Sequence, residues 1–277
     1  MNVTDRSPRS FQGFGIDILW LCVILAGTLF ITSLIPLIPN DYWWHLKIGE
    51  YIYTQHTIPS TNMFAWTLPA DTPYYYGTWL GELLLYLLYR LGGVELTIFT
   101  RTVLFGITFF LVGYEAKRRS GSWRIAAFIV ALAAIMTLSN VHVRTQMWSW
   151  IPFILYLILL SRYSDHQLPK AWLFLLPVLM IFWVNAHGAF ILGLVMIGTF
   201  LLGELLRTLL KLPDALQLKE VLWLAWIGLL TGLATLVNPR FLGIISYVID
   251  LMTDRPSQQL VIERPCGAGD CHSITNC

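Results

Sequence analysis

Apolar runs separated by short polar breaks fill most of the chain. The first, 16–38, is about 23 residues, long enough to cross a bilayer with some tilt. Pro36 and Pro39 close it. Runs at 96–114, 125–139, 148–160, 171–184, 190–206 and 221–237 bring the expected spans to about seven. The run at 78–91 differs, because it holds Glu82 and Arg90 and stops at Gly92-Gly93. It is too short to cross comfortably and is expected to lie in the interface. Residues 241–252 read as an amphipathic or partly inserted helix with Asp250 near its end. The pattern predicts an all-α fold: a multi-pass transmembrane helical bundle with two interfacial helices in its first outer loop.

The first of those interfacial helices, 41–55, organises the rest. Its opening reads Asn40-Asp41-Tyr42-Trp43-Trp44-His45-Leu46-Lys47-Ile48-Gly49-Glu50. Asp41 and His45 are four residues apart and share one helical face. Tyr42, Trp43 and Trp44 are amphipathic rings that favour the membrane–water boundary. One reading makes Asp41 a reactive carboxylate held at the bilayer surface. The other makes Asn40 a helix cap and Asp41 a first-turn anion favoured by the dipole. The 39–77 connection is longer than most loops between elements, which favours function.

Charge sets the orientation. Lys117, Arg118, Arg119 and Arg124 form a basic cluster expected on the cytoplasmic side. Full crossing by 78–91 would put that cluster outside. With the N-terminus cytoplasmic, eleven of the eighteen Lys and Arg residues fall inside, the tally that fixes this topology. Only 12% of the residues are charged and 56% are hydrophobic, against about 25% charged in a soluble domain, which excludes a soluble enzyme. A net charge of +2 is too small to indicate a nucleic-acid partner. Cys22 lies in the first apolar run and is expected to pack there. Cys266, Cys271 and Cys277 crowd an irregular tail, 263–277, where a disulfide and a metal both remain open. That tail is unlike the membrane domain at 1–262 and is expected to come from a shifted or cut reading frame near Ile262.

The outer loops carry the chemistry. They offer Asp41, His45, Glu50 and His56, then Glu82, then His142, Arg144 and Gln146, then Asn185 and His187, then Asn238 and Arg240. Each has a bland account, such as a helix end or a snorkelling arginine. Together, an acid, imidazoles and a guanidinium beside aromatic rings are the parts from which sites are made.

Asp41-Tyr-Trp-Trp-His-Leu-Lys-Ile-Gly-Glu50, Trp79-Leu-Gly-Glu82, Asn185-Ala-His187-Gly188 and Asn238-Pro239 resemble a bacterial group within the GT-C superfamily of integral-membrane glycosyltransferases. That superfamily includes oligosaccharyltransferase catalytic subunits, protein O-mannosyltransferases and aminoarabinose transferases. The resemblance spans about residues 16–262. It implies a bacterial inner-membrane enzyme that takes a sugar from a polyprenyl-phosphate donor, with membrane lipid around it. The essential acid of the family's first outer loop corresponds to Asp41. Two features depart from the pattern: the superfamily has more spans, and the second outer loop offers His142, Arg144 and Gln146 where another acid is common. A divalent metal is left open, since one carboxylate among neutral imidazoles is a poor Mg²⁺ cage.

The expected mechanism is an inverting displacement with Asp41 as general base. Arg144 or Arg240 would hold the donor phosphate. His45 and His187 would orient the acid or bind sugar hydroxyls, with Glu82, His142 and Gln146 also lining the substrate site. Two other classes compete. A transporter needs ionisable groups at mid-membrane, and Arg101 and Glu204 lie near span ends. A non-catalytic assembly protein would make the outer polar residues structural.

Overall fold

The computed structural model describes residues 16–253, apart from 40, 65–68, 70, 245, 247, 248 and 250–252. The expected Asn40 cap, Asp250, the three tail cysteines and the segment 263–277 lie outside the described residues. Eight α-helices are described: α1 (Asp17–Leu34), α2 (Tyr42–Gln55), α3 (Trp79–Ser120), α4 (Trp123–Thr137), α5 (Trp150–Ser164), α6 (Leu175–Ala186), α7 (Ile191–Leu209) and α8 (Leu218–Ala234). Among the described residues there is no strand, only an isolated bridge between Thr61 and Pro73. Four helical stretches are long and apolar enough to cross a membrane: Asp17–Leu34, Trp79–Ser120, Trp123–Asn140 and Gly188–Leu209. Lys170–Ala186 is a shorter apolar helix.

α3 is bent by its sequence. Gly92 (φ −154°, ψ 25°) and Gly93 (φ 66°, ψ −160°) leave helical geometry inside it. A positive φ is open to glycine at little cost, so the pair makes a corner rather than a break. The first arm, 79–91, packs on α2, and the second arm packs against α1 and α4, which also pack on each other. The expected stop at Gly92-Gly93 corresponds to this corner.

Contacts gather the helix ends on two faces. On one face α1, α2, the corner of α3 and the turns before α5 and α7 come together. On the other, Arg124 pairs with Asp17 at 2.8 Å. There Arg118 joins α3 to Asp165 after α5 at 2.8 Å. The Tyr163 hydroxyl donates to the Glu220 carbonyl at 3.0 Å, tying α5 to α8. Small residues let the helices approach: Gly113 faces Leu21 and Val130, and Gly193 faces Trp183 and Tyr156. Close approach of this kind is how helices associate where lipid tails are as apolar as the side chains.

α1 buries only Leu21, Thr28 and Thr32, a single stripe. Cys22 lies off that stripe and is exposed, so it does not pack as expected. Arg101, which looked like an ordinary span-end cation, is fully buried. Its guanidinium donates to the carbonyls of Thr32 (2.5 Å) and Ile35 (3.2 Å) at the end of α1, and to that of Val141 (3.3 Å). A cation suits the negative end of a helix. Here it also joins the two segments that lead into Asp41 and Arg144.

Candidate active site

α2 begins where α1 has been clamped. Asp41 is its N-cap residue, yet its side chain makes no capping hydrogen bond. The carboxylate instead contacts the Arg144 guanidinium, 103 residues further on. Both side chains are partly open to solvent, so this pair adds little stability by itself. Its significance is positional: it sets an acid against the cation expected to hold phosphate.

Four residues along the same face, His45 Nδ1 lies 3.0 Å from Glu82 Oε1. Thr78 donates its hydroxyl to the same oxygen at 3.1 Å. Glu82 is only 3% exposed, and its Oε2 has no hydrogen-bond partner among the described residues. Such an atom is unusual, because buried polar atoms are nearly always paired. Gly49 makes the approach possible, since a Cβ there would strike the Glu82 backbone. Asp41, His45, Glu82 and Thr78 line a cleft of about 310 Å³ with Trp44, Tyr74, Tyr75, Tyr76 and Gly77. The Tyr76 hydroxyl donates to the Thr61 carbonyl (3.1 Å) and accepts from the Met63 amide (3.2 Å), which fixes the aromatic wall. Burial raises the phenol pKa of Tyr74 and of Tyr76. Both therefore stay neutral donors at physiological pH.

His187 follows α6 in extended conformation. Trp183 donates its indole N–H to Ser149 Oγ at 2.8 Å, which leaves the hydroxyl proton for His187 Nδ1 at 2.9 Å. The Ala189 amide also donates to that nitrogen at 3.2 Å. Nδ1 is thus an acceptor, and the neutral ring carries its proton on Nε2. Burial first, then the charges of His45 and Arg144, push the imidazole pKa down to about 4. His187 also lines a second, apolar cavity of about 570 Å³ between α3, α4, α5 and α7. Phe105, Phe109, Phe153 and Leu192 are among its walls; Asn140, Gln146, Ser149 and His187, with Thr108 and Thr137, supply its polar residues.

The eight expected site residues therefore separate. Asp41, His45, Glu82 and Arg144 come together. His187 stands close enough to feel two of them and faces the apolar groove. Gln146 lines that groove and not the cleft. Arg240 sits at the rim, its guanidinium 4.4 Å above the Tyr75 ring. His142 lines neither cavity, and its Nδ1 is buried without a partner among the described residues. Thr78, Ser149 and Trp183 were not foreseen, since a lone hydroxyl or indole carries no sequence signal.

The four short motifs converge on this region. Trp79 donates to the Asn185 side-chain oxygen at 2.8 Å. Asn185 in turn donates to the Val237 carbonyl at 2.8 Å, beside Asn238-Pro239. Trp148 donates to the Gly81 carbonyl at 3.0 Å. Among the described residues no three His, Cys, Asp or Glu side chains group closely enough to hold a metal ion. The cleft carboxylates are instead engaged by an arginine and an imidazole, a donor set that does not fit a divalent cation. No protein-family model, curated protein or solved structure matches this chain.

Proposed function

We propose that this chain is a membrane glycosyltransferase domain that moves a sugar from a polyprenyl-phosphate donor to an acceptor at the outer face. In this reading α1, the second arm of α3, and α4 to α8 make seven crossings. The N-terminus lies in the cytoplasm, the membrane is the inner membrane of a bacterium, and the face bearing Asp41 is outside. The observation that supports it most is the place of His187, between a polar aromatic cleft and an apolar groove. A lipid-linked sugar has the same two-part chemistry. The tail takes the groove, the phosphate takes Arg144 and the neutral Nε2–H of His187, and the sugar takes the cleft beside Tyr74 and Tyr75. Stacking rings and fixed donors suit a carbohydrate.

The reaction is a displacement at the anomeric carbon. The acceptor oxygen forms the new bond as its proton leaves, and the bond to the donor phosphate breaks with inversion. Arg144 stabilises the charge that gathers on that phosphate, acting where charge develops. Two groups in the cleft can take the proton, the Asp41 carboxylate and His45 Nε2.

The test uses the full chain in proteoliposomes with radiolabelled polyprenyl-phosphate hexoses and a soluble hydroxyl acceptor. Transfer by the wild type is expected, with a loss of about 100-fold or more in Arg144→Gln. Wild-type rates in both Arg144→Gln and Asp41→Asn would sink the reading.

A further inference from the structure

We infer that His45, held by the buried carboxylate of Glu82, is the proton acceptor of the cleft, and that Asp41 is the partner of Arg144 and not the base. The inference rests on the transferase reading for its substrate but on geometry for its assignment.

Three observations carry it. First, an ionised Glu82 only accepts hydrogen bonds, so the 3.0 Å contact puts the imidazole proton on Nδ1. The lone pair of His45 is then on Nε2, which makes no hydrogen bond among the described residues and belongs to a ring lining the cleft. Second, Glu82 is 3% exposed and keeps Oε2 unpartnered. A buried carboxylate in that state is costly at rest. It becomes favourable when a positive charge forms beside it, which happens when His45 takes a proton. Stabilisation that grows during the reaction is what accelerates it. Third, the Asp41 carboxylate already contacts Arg144. Protonating it would remove the anion from that arginine while the arginine is bearing phosphate charge.

The step balances. The acceptor O–H proton goes to His45 Nε2, and the acceptor oxygen bonds to the anomeric carbon. The carbon–oxygen bond to phosphate breaks, and the electron pair leaves with the polyprenyl phosphate. The imidazolium then returns its proton to water. Other charged or titratable groups face His45 as well: Asp41 from the start of α2, Tyr74 and Tyr76 from the loop, Arg144 from the turn before α5, and His187 beyond α6.

Nitrogen NMR on the ¹⁵N-histidine-labelled full chain in nanodiscs tests the dyad without substrate, with His45→Gln identifying the resonance. At pH 8 the proton is expected on Nδ1, with redistribution between the two nitrogens in Glu82→Gln. A proton on Nε2 in the wild type would overturn the assignment. In the transfer assay His45→Gln is expected to lower kcat about 100-fold or more, with donor KM within about threefold. A kcat within about threefold of wild type would also overturn it. If the wild type transfers no hexose, the transferase reading fails, and the tautomer still decides whether Glu82 holds His45 as a base.

Discussion

A Cβ on Gly81 would collide with the carbonyl oxygen of Ala186, so α3 and α6 meet backbone to backbone beside the cleft. The residues that follow are Glu82, within α3, and His187, just past the end of α6. The contact therefore sets how far the carboxylate of one motif lies from the imidazole of the other.

Gly81→Ala forces that contact apart. Overpacking of this kind costs about 1–3 kcal/mol. The expected result is a lower thermal midpoint in detergent, together with a weaker Trp79–Asn185 contact seen as altered tryptophan fluorescence. An unchanged midpoint would mean that α6 slides freely against α3.

Arg101→Met keeps much of the side-chain volume but removes the guanidinium hydrogen bonds to the Thr32, Ile35 and Val141 carbonyls, of which Thr32 keeps the Ile35 amide. Leaving the Ile35 and Val141 carbonyls without the guanidinium costs about 1–3 kcal/mol per group before relaxation. A loss of several kcal/mol in total is expected, read as a lowered unfolding midpoint. Arg101→Lys should recover only part of it, because a single ammonium cannot reach both segments as a planar guanidinium does.

The His187 imidazole gives a pH signature. Its pKa falls from the usual 6.5 to about 4, through burial first and then through His45 and Arg144. A depressed folded-state value means that the unfolded chain binds the proton more readily. Its contribution is therefore intact above pH 6.5 and is lost as pH falls from 6.5 toward 4. The difference corresponds to about 3 kcal/mol. Unfolding of the wild type followed from pH 7 to 4 should show this extra slope, and His187→Gln should lack it.

On the opposite face Glu115 is nearly buried and accepts from Arg118 at 2.5 Å, while Arg119 also pairs with it. Glu115→Ala leaves Arg118, Arg119 and Arg162 without their shared anion, although Arg118 and Arg119 keep Asp165. The partial exposure of the arginines and the remaining Asp165 limit the cost to about 2 kcal/mol. A double-mutant cycle with Arg118→Ala measures it, and additive losses would show that the pair contributes nothing.

Much of the helical layout was legible from local signals. Gly92-Gly93 announced the corner of α3, and the four-residue spacing of Asp41 and His45 put both on one face of α2. The pairings were not legible. Arg144 meets Asp41 across 103 positions, and nothing local to either residue specifies the other. Arg101 reads only as lying near a span end, because composition cannot distinguish a cation facing lipid headgroups from one capping a neighbouring helix. His142 was grouped with Arg144 and Gln146 by proximity in sequence. In the stretch 141–149 these three even positions are all partly open, yet Arg144 meets Asp41, Gln146 lines the groove and His142 lines neither cavity. Cys22 was misjudged because an apolar run does not show which narrow stripe of it meets protein.

The pairing of Asp41 with Arg144 has an electrical consequence. Arg240 at the rim offsets Glu82 within, so the ionised groups around the opening cancel. A charged ligand would then meet almost no long-range pull and would have to win Arg144 by displacing its carboxylate at contact. Binding governed by such an exchange should vary little between dilute buffer and concentrated salt, unlike capture by an unmatched basic patch.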